Sequence, residues 1–159
     1  MCVIVDNNVR DRVFLRPEDK DFRKLHSCLF GKGRPAVRIV YGGKLRREYF
    51  QRDKIKELLL ELVRAGRART VDDHSVDQEM ATVIEGGLCR SDDEHIIALA
   101  RVGNVRLLCT DDEPLKRDFK NQSLIDKDRG RVYGRASHQH LLDRFCGNPN
   151  TRRLRKRRK

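Results

Sequence analysis

Short apolar runs separated by helix-length amphipathic segments constrain this chain more than any other feature. Residues 2–5 (CVIV), 37–41 (VRIVY) and 105–110 (VRLLCT) are rich in β-branched residues, and residues 68–71 offer a further short candidate strand. Such runs suit strands buried on both faces. Strands that alternate with helices imply crossover connections, hence an α/β domain built on a mostly parallel sheet.

The helical segments carry their own punctuation. Residues 17–29 read as a helix start and an amphipathic helix that ends near Gly31 and Gly33. The stretch KLRREYFQRDKIKELLLELVRAG places Leu45, Tyr49, Ile55, Leu58, Leu59, Leu62 and Val63 at helical spacing, as one long helix or two shorter ones closed by Gly66. Val76, Met80, Val83 and Ile84 mark another helix that stops at Gly86 and Gly87. In SDDEHIIALARVGN, Ser91 and Glu94 have capping-box spacing, Ile96, Ile97, Leu99 and Ala100 form an apolar face, and Gly103 ends the helix. Short helices are expected at 114–119 and 137–145, and no internal repeat is visible.

The chain has 159 residues, which fits one domain able to bury a self-sufficient core. Its formal net charge is +12, but the last nine residues, TRRLRKRRK, hold seven cations and no acid, leaving 12 − 7 = +5 for the rest. The reading is a domain over residues 1–150 followed by a basic tail over 151–159. A cationic tail raises affinity for polyanions without reading sequence, so nucleic acid is the expected partner, with Arg152, Arg153 and Arg155 among the contacts. A membrane partner is disfavoured, because Leu154 is the tail's one apolar residue and no run approaches the roughly 20 apolar residues of a spanning helix. Five cysteines without a CxxC pair, and no apolar leader, fit reduced thiols and a cytoplasmic location.

Asp6 follows the first apolar strand and Asp111 the third, so both acids belong at the carboxyl edge of the sheet, where α/β proteins bind ligands. Singly, each is accounted for as a turn former, and Asp93 as an acid favoured in the first turn of a helix. Other motifs carry less. GKGRPA leads through Pro35 into a strand rather than opening a helix, which argues against a dinucleotide site. His138 and His140 are two apart and lie on different helix faces, and no G-x-S-x-G nucleophile motif occurs.

The ordered set VIVD, then D-x-H-I-I-A-L-A, then an apolar strand ending in T-D-D, resembles the PIN domain. This family of metal-dependent nucleases includes the VapC-type and PilT N-terminus-like ribonucleases, and the resemblance covers about residues 1–145. It implies a three-layer α/β/α fold, with Asp6, Glu48, Asp93 and Asp111 as the acids that hold Mg²⁺ or Mn²⁺. Asp92 and Asp112 are the neighbouring alternatives at the last two positions. It further implies RNA hydrolysis leaving a 5′-phosphate and, for the toxin branch, an antitoxin protein as partner and a homodimer. Where the family often has Thr or Ser after the first Asp, this chain has Asn7 and Asn8. Clustered carboxylates repel one another unless a cation neutralises them, and hard divalent ions prefer oxygen ligands. Arg10, Arg12, Lys44, Arg46, Arg47, Arg129 and Arg131 are candidate backbone contacts, with the Asn7 amide beside them. Two further readings stand beside the ribonuclease: a non-catalytic RNA-binding module of the same fold, and a structure-specific DNA nuclease.

Overall fold

A computed structural model describes residues 1–32, 37–126 and 130–142. The elements run β1 (Cys2–Val5), α1 (Arg10–Leu15), α2 (Arg23–Phe30), β2 (Arg38–Tyr41), α3 (Gly43–Phe50), α4 (Asp53–Arg64), β3 (Ala68–Thr70) and α5 (Asp73–Gly86). They continue with α6 (Glu94–Gly103), β4 (Leu107–Cys109), α7 (Glu113–Lys120), β5 (Arg131–Tyr133) and a 3₁₀ turn at Ala136–His138. The five strands pair in the order β3-β2-β1-β4-β5, and every pairing is parallel. The fold is thus the mixed α/β class expected, a central parallel sheet consistent with a three-layer α/β/α domain.

Strand order explains where a site belongs. The chain moves outward from β1 to β2 and β3, then returns across the sheet to β4 and β5 on the other side of β1. Right-handed crossovers in opposite directions put their helices on opposite faces. Between β1 and β4 the direction reverses, which leaves a crevice outside the carboxyl ends of those two strands. The register pairs Val5 with Cys109, so Asp6 and Thr110 emerge side by side. A further ladder bond from the Asp6 N–H to the Cys109 carbonyl (2.9 Å) fixes that exit.

The apolar runs are buried as their composition requires. Val3, Ile4, Val5, Ile39, Val40, Leu107 and Leu108 form the sheet's share of the core. Helix α4 packs Ile55, Leu59 and Leu62 inward at helical spacing, each contributing about 2 kcal/mol through removal from water. At Gly43 the φ of +56° favours glycine, and a Cβ there would meet Val76 Cγ1 at 2.7 Å, so α3 can start flush against α5. The Gly43 N–H also donates to Asp73 Oδ1 at 2.8 Å.

Several local expectations change. The segment 44–66 resolves into two helices, α3 and α4, separated at residues 51–52. The helix expected over 17–29 begins at Arg23, because the Asp19 carboxylate takes the N–H groups of Asp21 and Phe22 and folds the preceding residues into a turn. Ser91 and Glu94 form no capping box: the N-cap of α6 is Asp93, which makes no side-chain cap bond, and Ser91 is buried two residues upstream. The helix expected over 137–145 is a 3₁₀ turn at its start, and its last three residues lie outside the described residues. Cys2, Cys89 and Cys109 are free, whereas Cys28 is disulfide-bonded, which departs from the expectation of reduced thiols throughout. Among the described residues no helix is long and apolar enough to cross a membrane.

Candidate functional site

At the β1/β4 crevice three aspartates from three parts of the chain come within electrostatic reach. Asp6 is 5% exposed, and its Oδ2 accepts the Thr110 hydroxyl at 2.8 Å. Burial raises the Asp6 pKa above the ordinary carboxylate range. The Thr110 hydroxyl and the Asn7 and Asn8 N–H groups oppose that rise, and the charge of Asp112 adds to it. Asp93, at the N-cap of α6, is pushed up to about 6, first by burial and then by the charges of Asp6 and Asp112. Thr110 is fully buried, and its Oγ1 also accepts the Asp112 N–H at 3.1 Å. One hydroxyl therefore ties the end of β1 to the turn that carries Asp112.

Glu48 approaches from α3. The neighbouring Tyr49 hydroxyl donates to the Val5 carbonyl, which anchors this helix to the end of β1. Burial raises the Glu48 pKa; Lys44 opposes this and the charge of Asp93 adds to it, so Glu48 belongs to the same acidic group. Its Oε2 is buried without a hydrogen bond, 3.4 Å from His95 Nε2, which is likewise buried and unbonded. Burial, with Lys44 and Arg47 nearby, pushes His95 down to about 4, so at neutral pH the ring is uncharged and this contact is no ion pair.

Asp111 takes a different course from the one expected. Its side chain is 49% exposed; Oδ1 accepts from Asn8 Nδ2 at 2.7 Å, and Oδ2 lies 3.8 Å from Arg12 Nη1. Of the two adjacent acids, Asp112 is the one whose charge acts on Asp6 and Asp93. Asp92 is exposed and touches the group only as a charge beside Asp93.

The candidate cations divide in the same way. Arg10 donates to Asn7 Oδ1 (2.8 Å), the Glu48 carbonyl and Asp11; Arg12 bonds Asp19 and Asp21. Arg46 pairs with Asp73 and Arg47 with Asp77, both at the surface. Lys44 is exposed and its charge is felt by Glu48, Asp93 and His95, which makes it the free cation at the crevice mouth among these candidates. Arg131 begins β5, at the amino end of the strand and so at the sheet edge opposite the acids. Arg129, Arg152, Arg153 and Arg155 lie outside the described residues.

Three contributors escape a reading by motif. Thr110 stands in the T-D-D motif, but its bond spans 104 residues. Asp118, 2% exposed on α7, accepts the Arg90 and Ser91 N–H groups (3.1 and 2.8 Å) and the Cys89 thiol (3.1 Å), and so holds the loop that delivers Asp93. His95 is visible in sequence only as a polar residue in an apolar stretch. A cavity of about 410 Å³ lies elsewhere, between Tyr41, Phe50, Leu60, Val63 and Val71, and none of the crevice acids lines it.

As the side chains stand, no group of three or more His, Cys, Asp or Glu among the described residues is arranged to hold a metal ion. No protein-family model matches the chain, and neither the curated proteins nor the solved structures compared with it match it significantly.

Proposed function

We propose that this chain is a PIN-type endoribonuclease that uses Mg²⁺ or Mn²⁺, with Asp6, Glu48, Asp93 and Asp112 holding the ion. The observation that carries the reading is the meeting of Asp6, Asp93 and Asp112 at the switch point, where burial first, and then the charges of Asp6 and Asp112 against the opposing charge of Lys44, push Asp93 up to about 6. The donors are all carboxylate oxygens, which a hard divalent ion prefers. When bound, such an ion acidifies a water and offsets charge on a phosphodiester. The chain's own residues do the rest. Thr110 orients Asp6, Asp118 fixes the loop before Asp93, and Lys44 draws a phosphate to the mouth of an otherwise acidic crevice. Membership of the toxin branch, with an antitoxin covering the site and a homodimer as the active form, follows only if the reading holds.

The experiment is cleavage of labelled tRNA, rRNA fragments and single-stranded DNA by wild type and Asp6→Asn, in Mn²⁺, Mg²⁺ and EDTA. Cutting of RNA that needs both the metal and Asp6 is the expected outcome. Equal cutting by Asp6→Asn sinks the assignment, and cutting confined to DNA replaces it with the DNA nuclease. The second reading, an RNA-binding module without catalysis, draws on the fact that, among the described residues, no three His, Cys, Asp or Glu are already arranged to hold a metal ion. Metal-independent RNA binding with no cutting would establish it.

A further inference from the structure

His95 and Glu48 present the one pair of buried polar atoms among the described residues that lack hydrogen-bond partners while facing each other. Their chemistry is complementary. An ionised carboxylate can only accept, so the ring atom opposite it must be a nitrogen carrying hydrogen, which a neutral histidine supplies from Nε2. At 3.4 Å the two atoms are within reach but off the line a hydrogen bond needs, and a small rotation of the ring or the carboxylate with an approach of about 0.5 Å completes one. Both ends are braced for it. His95 is 3% exposed among the fully buried Ile96, Ile97 and Ala98, and Glu48 sits on the helix that Tyr49 fastens to the Val5 carbonyl. Another donor for Oε2 is absent among the described residues.

We propose that His95 is a positioning residue: its Nε2–H fixes Oε2 of Glu48, which holds that carboxylate against Asp93 and readies it as a cation ligand. The positioning role rests on the ligand reading given above, whereas the hydrogen bond itself does not. A hydrogen-bonded partner behind a ligand sets its orientation, and loss of such partners lowers metal affinity by about 10- to 100-fold.

Two measurements on the full chain separate the two levels. In EDTA, ¹⁵N ring spectra of wild type, with His95 identified by its loss in His95→Gln, should show hydrogen on Nε2. That signal should move in Glu48→Gln and stay in place in the surface control Glu57→Gln. Hydrogen on Nδ1, or a ring signal indifferent to Glu48→Gln, overturns the hydrogen bond. Mn²⁺ titration followed by electron paramagnetic resonance should then find His95→Leu weakened about 10- to 100-fold, with His95→Gln, which keeps an N–H, recovering most of the loss. Thermal melts confirm that each variant is folded. Wild-type affinity in His95→Leu overturns the positioning role. A wild type that takes up no Mn²⁺ overturns the ligand reading and the positioning role together, and the ring spectra alone then decide whether the bond exists.

Discussion

Asp118 and Asp6 are both almost wholly buried, at 2% and 5% exposed, yet their carboxyls are driven in opposite directions. Burial raises both. At Asp118 it is outweighed by the Ser91 and Arg90 N–H groups and the Cys89 thiol, so its pKa ends below the ordinary value. At Asp6 the Thr110 hydroxyl and two N–H groups do not suffice, Asp112 adds its charge, and the pKa ends above it. The same residue type at similar depth is a finished structural bond in one place and an unfinished electrostatic arrangement in the other. The difference lies in the balance of burial against donors: the donors win at Asp118, whereas burial wins at Asp6, where the Asp112 charge adds a smaller push in the direction that a divalent cation relieves.

The sharpest way to break this comparison is to remove the charge at each site. Asp6→Asn should cost at least about 100-fold in metal-dependent RNA cleavage while the fold is kept, because the lost charge is one the ion needs. Within the T-D-D motif, Asp112→Asn should lose activity comparably and Asp111→Asn no more than about 3-fold. Equal losses in a rate assay would show that the exposed Asp111 reaches the site after all. Asp118→Ala should instead lower stability by about 3 kcal/mol in urea melts, since it strands buried donors. Its activity at saturating Mn²⁺ should fall only as far as Asp93 is displaced.

Acidity offers a subtler test. Asp93 titrates near 6 when folded against an ordinary 3.8, so the folded chain keeps a proton the unfolded chain has released, and this group's contribution to stability falls from about pH 4 to about pH 6. His95, lowered from 6.5 to about 4, acts oppositely: the unfolded chain takes up a proton first, so its contribution rises through nearly the same window. The two offset each other in wild type. In EDTA, Asp93→Asn should therefore gain on wild type as pH rises from 4 to 6, by on the order of 2–3 kcal/mol. An unchanged difference across that range in pH-dependent melts would show that Asp93 is not burdened by its neighbours. The smallest effect expected is at Lys44. Lys44→Gln should raise KM for RNA about 3-fold at low salt with kcat nearly unchanged, and the difference should shrink as salt screens the contact.

The surface arginines extend the comparison. Arg12, Arg46 and Arg47 are bound to Asp19, Asp73 and Asp77, so their charges neutralise the protein's own acids. The sequence counts them as basic residues near an acidic motif. Pairing across 27 and 30 residues, set by how α3 lies on α5, decides that they brace helices first.

Much of the fold was legible because burial in a parallel sheet leaves a mark on each strand by itself: a short apolar run needs no knowledge of its neighbours to be read. The positions of Asp6 and Asp93, directly after a strand and at the head of a helix, were legible for the same local reason. What the sequence could not decide were choices between adjacent or distant partners. Asp112 rather than Asp111 acts on Asp6 and Asp93, because Asn8 and Arg12 engage the Asp111 carboxylate while Thr110 holds the Asp112 N–H beside Asp6. Ser91 does not cap α6 because the helix starts at Glu94 with Asp93 at the N-cap, while Asp118, 27 residues away, holds Ser91 in the preceding loop by its N–H. His95 meets Glu48 because α3 and α6 pack together. Hydrophobic patterning is a property of each segment and survives in the sequence, whereas the charge state and bonding of a carboxylate depend on every group within a few ångströms, and those groups are gathered only when the chain folds.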